Sequence, residues 1–441
     1  MSRFSNIRFL LRFCCGILVC ALVAAVARAG VVIERWRTPE GAQVQFVALA
    51  ALPILDVQVD FRAGSAFNPQ GKAGLANLTR GVLMLGAADL DETALANALA
   101  DVGAVLSGGV DEDRASLRLR TLSQTEKREA ALTVLEKTLS QPRFEAGIFT
   151  RERDRSIAGL KDALTRPDTL AQRAFWTALY PDHPYGRLFT PESLAALEAA
   201  DVRAFWQRHY VAANAVITLV GDLSRAEAEA VAARLAAAMP RGEAAPLPET
   251  ALVVAAQTVN VAHPAKQAHI FLGMPAIKRG DPDFFPLLVG NYTLGGGGFV
   301  SRLMKEVREK RGFAYSVYSY FSPLRLEGPF QIGLQTQKEQ AAEALRVTRA
   351  VLADFLQTGP SAAELAAARD NLAGSFPLRL DSNAKILENV AVIGFYGLPE
   401  DYLETYQAKV RAVTQEAVKK AFARHVQPEK FVTVTVAAQQ E

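Results

Sequence analysis

Apolar and polar positions alternate with a period of two from Val57 to Phe61, and again from Ala115 to Thr121 as Ala-Ser-Leu-Arg-Leu-Arg-Thr. That period predicts two strands. Between them, Gly74 to Gly86 places Leu75, Leu78 and Val82 on one face at helical spacing, which predicts a helix. Arg225 to Ala238 is rich in alanine and amphipathic, so it is read as helix too. Further on, the pattern gives a strand over Ala268–Gly273 and helices over Pro282–Leu294 and Val300–Arg311. A strand over Ala314–Phe321 follows.

The two parts of the chain resemble each other. Residues 201–209 read DVRAFWQRH and residues 417–425 read AVKKAFARH, an offset of 216 residues. Each ends in Arg-His and runs into a β-type stretch, Ala215–Val220 and Phe431–Val436. The same offset lays Arg153-Asp154 on Arg369-Asp370. Between the copies, Pro240, Pro246 and Pro248 forbid a regular element, so residues 239–252 are read as a linker. The divisions are 30–238 for an N-terminal domain and 253–441 for a C-terminal one. Grouped strands and helices, duplicated, predict an α+β fold rather than a doubly wound sheet.

Length and composition agree with two domains: 441 residues, half of them hydrophobic and 22% charged. Residues 1–29 stand apart. Arg3, Arg8 and Arg12 precede an apolar run from Cys14 to Val26, and Ala27-Arg28-Ala29 offers a small-x-small cleavage pattern. This is the pattern of a secretory signal peptide, and the apolar run is short for a permanent anchor. A periplasmic or secreted location is expected, with no stable membrane insertion after cleavage. Cys14, Cys15 and Cys20 are the three cysteines of the chain, so the mature protein has neither disulfides nor a thiol nucleophile. Removing the four arginines of residues 1–29 takes the net charge from +3 to about −1, which argues against nucleic acid as a partner.

Four stretches carry a family resemblance. They are residues 62–83 (RAGSAFNPQGKAGLANLTRGVL), His183-Pro184-Tyr185-Gly186, residues 267–273, and residues 294–315 (LGGGGFVSRLMKEVREKRGFAY). In this order they resemble the pitrilysin/insulinase zinc metallopeptidases, and the likeness spans nearly the whole mature chain. The resemblance implies two homologous α/β-sandwich domains closed on each other as a clamshell around a chamber. It also implies a zinc motif, His-x-x-Glu-His, opening the first helix. There two histidines bind the metal, the glutamate serves as general base, and a distal glutamate completes the site.

Here the chain departs from the family. The motif positions hold Asn77, Arg80 and Gly81, and the distal glutamate falls near Ala158 or Gly159. None can act as the required ligand or base. The five histidines, His183, His209, His263, His269 and His425, include no pair four residues apart, so no other zinc motif replaces it. His183 reads as part of a turn, and His209 and His425 as helix-end residues.

Another feature of active family members is kept: an arginine and a tyrosine seven residues apart, here Arg308 and Tyr315. A fixed cation and a phenol donor can stabilise the oxyanion formed when water attacks a peptide carbonyl. Without the resemblance, Arg308 reads as one solvated charge among Arg302, Lys305, Lys310 and Arg311. Gly295 to Gly298 lacks the Lys-Ser/Thr of a phosphate loop and reads as a flexible turn. The chain also has no G-x-S-x-G elbow for a serine hydrolase. The resemblance therefore implies a zinc-less subunit, inactive alone and binding no cofactor. It would pair with a homologous zinc-bearing subunit, act on peptides and supply Arg308 and Tyr315. A non-catalytic peptide-binding or structural scaffold is the alternative.

Overall fold

The structure is a computed structural model describing residues 31–247, 252 and 255–437. The expected signal peptide, with Cys14, Cys15 and Cys20, and residues 248–251 of the expected linker lie outside the described residues.

The first half forms a six-stranded sheet: β1 (Glu34–Arg37), β2 (Gln43–Ala48), β3 (Ile54–Phe61), β4 (Val105–Ser107), β5 (Ala115–Leu122) and β6 (Ala215–Gly221), in the order β1-β2-β6-β3-β5-β4. Its helices are α1 (Leu75–Leu83), α2 (Glu92–Ala100), α3 (Thr125–Ser140), α4 (Ala146–Ala163), α5 (Pro167–Leu179), α6 (Pro191–Ala195), α7 (Ala199–His209) and α8 (Arg225–Ala238). The second half forms a five-stranded sheet: β7 (Gln257–Ala262), β8 (Gln267–Ile277), β9 (Ala314–Phe321), β10 (Gly328–Gln337) and β11 (Val432–Ala437), in the order β7-β11-β8-β10-β9. Its helices are α9 (Phe284–Asn291), α10 (Ala341–Thr358), α11 (Ala362–Ser375), α12 (Asn383–Tyr396), α13 (Tyr402–Ala412) and α14 (Gln415–His425).

The sheets are copies. Strands β2-β6-β3-β5-β4 map one for one onto β7-β11-β8-β10-β9, and each pairing keeps its sense. The pairs β2–β6 and β7–β11 are parallel, and the other pairs are antiparallel. Central strand β6 is buried along its whole length, which explains its continuous apolar run: both sheet faces are covered.

What covers them is an exchange. Helix α12 of the second half lies across β2, β3 and β6 of the first, so close that a Cβ on Gly394 would sit 2.6 Å from Gln45 Cγ. Helix α5 of the first half lies across β8 and β11 of the second, with Phe175 5.8 Å from Phe271. Helix α5 starts at residue 167 and α12 at residue 383, which is again the offset of 216.

This exchange covers the polar face of β3, where Asp56, Gln58 and Asp60 are all buried. Arg120 donates to both Asp56 oxygens at 2.8 and 2.9 Å, Arg118 donates to Gln58 Oε1, and Gln58 Nε2 donates to Asp60 at 2.9 Å, with Arg114 3.5 Å from Asp60 as an ion pair. Burial still raises the Asp60 carboxyl to about 6. The exchanged helices α5 and α12 each pack on the sheet of the other half. A cavity lined from both halves by Phe67, Tyr185, Arg325 and Leu326 holds about 20 Å³, the room of one water.

Candidate functional site

Helix α1 turns Leu75, Leu78 and Val82 into the core, as the sequence predicts. Asn77 is therefore exposed, while Arg80 and Gly81 are half-buried. Helix α4 packs beside α1 and carries Ala158 and Gly159, both exposed. A side chain added at Gly81 or Gly159 would meet nothing within 4 Å. This group offers one amide, one cation and no imidazole or carboxylate. Zinc needs three protein donors of those kinds, so the residues present do not fit it.

The histidines are occupied elsewhere. His183 Nδ1 accepts from the Tyr185 amide at 3.1 Å inside a short turn. His209 ends α7, stacks on Phe205 at 4.4 Å, and burial lowers it to about 4. His263 lies 3.1 Å from the Thr165 carbonyl, and His269 is 3.5 Å from Gln335. His425 ends α14 with Nδ1 2.8 Å from the Ala276 carbonyl and Nε2 3.0 Å from Asp283. Asp281, Asp283 and His425 are close enough to surround an ion, but Arg424 already neutralises Asp283 at 3.1 Å.

The second half differs. Residues Met304–Glu309 form a π-helical turn, a rare geometry that concentrates at functional sites. Gly312 ends it in the left-handed region (φ 65°), with its amide donating to the Arg308 carbonyl at 2.8 Å. Strand β9 follows at the edge of its sheet. The register of β9 on β10 jumps from Ser316↔Gln335 to Ala314↔Thr336, so Tyr315 is the extra residue of a β-bulge. A bulge re-aims a side chain, and Tyr315 is 77% exposed.

Arg308 meets it there. The guanidinium carbon lies 4.9 Å from the Tyr315 ring centroid and 4.9 Å from that of Phe299. Phe299 is itself 62% exposed and Val300 54%. Three neighbouring cations are neutralised, Arg302 by Asp354 and Glu364 and both Lys310 and Arg311 by Glu306, while exposed Lys305 is unpaired among the described residues. Hydrogen bonds from Lys310 and Arg311 hold the Glu306 carboxyl below its usual range. Among the described residues Arg308 has no acidic partner. It is a cation with open donors, placed between two exposed aromatic rings.

Phe299 was not picked out by sequence reasoning. Its signal was available: two large apolar residues, Phe299 and Val300, directly after four glycines in a stretch with no room to bury them.

Two family models match the chain in succession. They are Insulinase (Peptidase family M16) over residues 51–191 and Peptidase M16 inactive domain over residues 196–372. A crystal structure of a peptidase M16 inactive domain from Pseudomonas fluorescens is 38% identical. It superposes with a TM-score of 0.88 and covers 92% of this chain and 98% of that one. The chain belongs to the insulinase family of peptidases, family M16. A non-peptidase homologue of Helicobacter pylori is similar to this M16 chain at 26% identity over 385 residues, 85% of this chain and 87% of its own length. The periplasmic protease PqqL of Escherichia coli shares the fold at 18% identity and a TM-score of 0.79. That match covers 92% of this M16 chain but 46% of that one.

Proposed function

We propose that this chain is the zinc-less subunit of a two-chain M16 peptidase, secreted through residues 1–29 into a periplasm or the medium. It lends Arg308 and Tyr315 to the active site of a homologous zinc-bearing partner. The supporting observation is the Arg308 guanidinium, without an acidic partner among the described residues and held between exposed Phe299 and Tyr315, while Arg302, Lys310 and Arg311 are paired. The length of the E. coli protease, about twice that matched here, supports a two-chain arrangement.

The chemistry follows from the groups. Water attack on a peptide carbonyl places negative charge on its oxygen, which the Arg308 fork and the Tyr315 hydroxyl meet with hydrogen bonds. Donors placed in advance stabilise that charge more than the neutral carbonyl. The partner's zinc supplies the activation of the water. Edge strand β9 presents unpaired backbone groups beside both side chains, so an extended peptide can be held through its main chain.

A scaffold without catalytic contribution is the competing reading, favoured by the name of the H. pylori relative. Zinc content and peptidase activity separate the two, measured on the mature chain alone and after co-expression with its zinc-bearing homologue. The proposal expects no zinc and no activity alone, and one zinc and activity in the complex. One equivalent of zinc on the chain alone, or a partner equally active without it, would overturn the assignment.

A further inference from the structure

The helix position where the family holds its catalytic glutamate is occupied here by a cation, and its surroundings do not neutralise it. Arg80 has no hydrogen-bond or ion-pair partner among the described residues, and its Nε is buried. Burial lowers its affinity for a proton, with only the Tyr210 phenol opposing. That Tyr210 hydroxyl is itself buried and unpartnered. A guanidinium left in this condition favours the arrival of an anion.

There is room for one. Positions 81, 109 and 159 are glycines whose added side chains would meet nothing within 4 Å. Arg80 Nη2 reaches toward Gly108, lying 3.1 Å from where a Cβ there would sit. Gly108 has φ 147°, and a Cβ would strike the Ser116 carbonyl oxygen, so this close approach depends on glycine. Gly108 directly follows β4, the edge strand of the first sheet, whose outer side has no strand neighbour. A chain laid along that edge runs past the guanidinium.

We propose that the lost zinc position has become a carboxylate-binding site for extended peptides, with Arg80 as the residue that selects the charge. One planar cation with no second one beside it matches a carboxylate better than a phosphate. The carboxylate comes from an acidic side chain or from a peptide C-terminus. This site does not involve Arg308 or Tyr315.

Fluorescence anisotropy of the purified chain tests it, with three fluorescein-labelled peptides: Val-Thr-Val-Glu-Val amide, its Gln counterpart as amide, and the Gln counterpart with a free C-terminus. The expected result is that at least one acidic form binds about tenfold more tightly than the neutral amide. The form that does so identifies the source of the carboxylate. Arg80→Met should abolish that preference, and so should Gly81→Leu, which fills the open space while keeping Arg80. Equal binding of all three peptides to the wild type would overturn the proposal, as would a preference surviving in folded Arg80→Met. The assay uses this chain alone, so its failure leaves the Arg308 and Tyr315 assignment standing, and the reverse also holds.

Discussion

The Tyr396 hydroxyl donates to Asp113 Oδ2 at 2.9 Å, joining the last turn of α12 in the second half to the turn before β5 in the first. Asp113 is buried and also accepts from the Tyr185 hydroxyl at 2.5 Å and the Arg325 amide at 2.9 Å. Both halves therefore converge on one carboxylate. Tyr396→Phe removes one of three donors to a buried carboxyl group and should lower stability by about 1.5 kcal/mol. Urea unfolding measures this. An unchanged midpoint would show that the contact adds nothing to the joining of the halves.

Beside that clasp, burial raises the Glu112 carboxyl to about 7, and the Asp111 and Asp113 carboxylates push it the same way. A carboxyl raised in the folded state favours folding while it stays protonated. Its contribution is whole below about 4.5 and is lost as pH rises through about 7. Glu112→Gln should therefore stabilise the protein at pH 8 by about 2–3 kcal/mol and leave it unchanged at pH 4. Equal effects of the substitution at both pH values would contradict this.

Phe299 holds one face of the Arg308 guanidinium at 4.9 Å. An exposed contact of this kind contributes on the order of 0.5–1 kcal/mol. Phe299→Ala should then lower kcat/KM of the proposed two-chain enzyme by about two- to fivefold, through a less ordered Arg308, with no change in the chain's melting temperature. A loss as large as that of Arg308→Ala would make Phe299 a direct substrate contact instead.

Much of the fold was legible because the chain is duplicated. The offset linking 201–209 to 417–425 also links α5 to α12, and the strands read from alternation are present. The exchange of those two helices was not legible. Periodicity reports that a helix has a buried face, not which sheet covers it. The expected helix over Val300–Arg311 is a π-helical turn that begins later, because sequence patterns do not separate π from α winding. The Arg308–Tyr315 spacing was visible, but the bulge that turns Tyr315 outward arises from pairing with β10, which lies beyond the motif.

The most direct measurement is kcat/KM for a peptide substrate, with zinc content, for the two-chain complex carrying Arg308→Ala, Tyr315→Phe or Arg311→Ala. Arg311 is bound to Glu306 and serves as the control. The account predicts losses of roughly 10²–10³ for the first two at unchanged zinc, and a change under about twofold for the third. Wild-type rates in Arg308→Ala and Tyr315→Phe complexes that still assemble and hold zinc would contradict it.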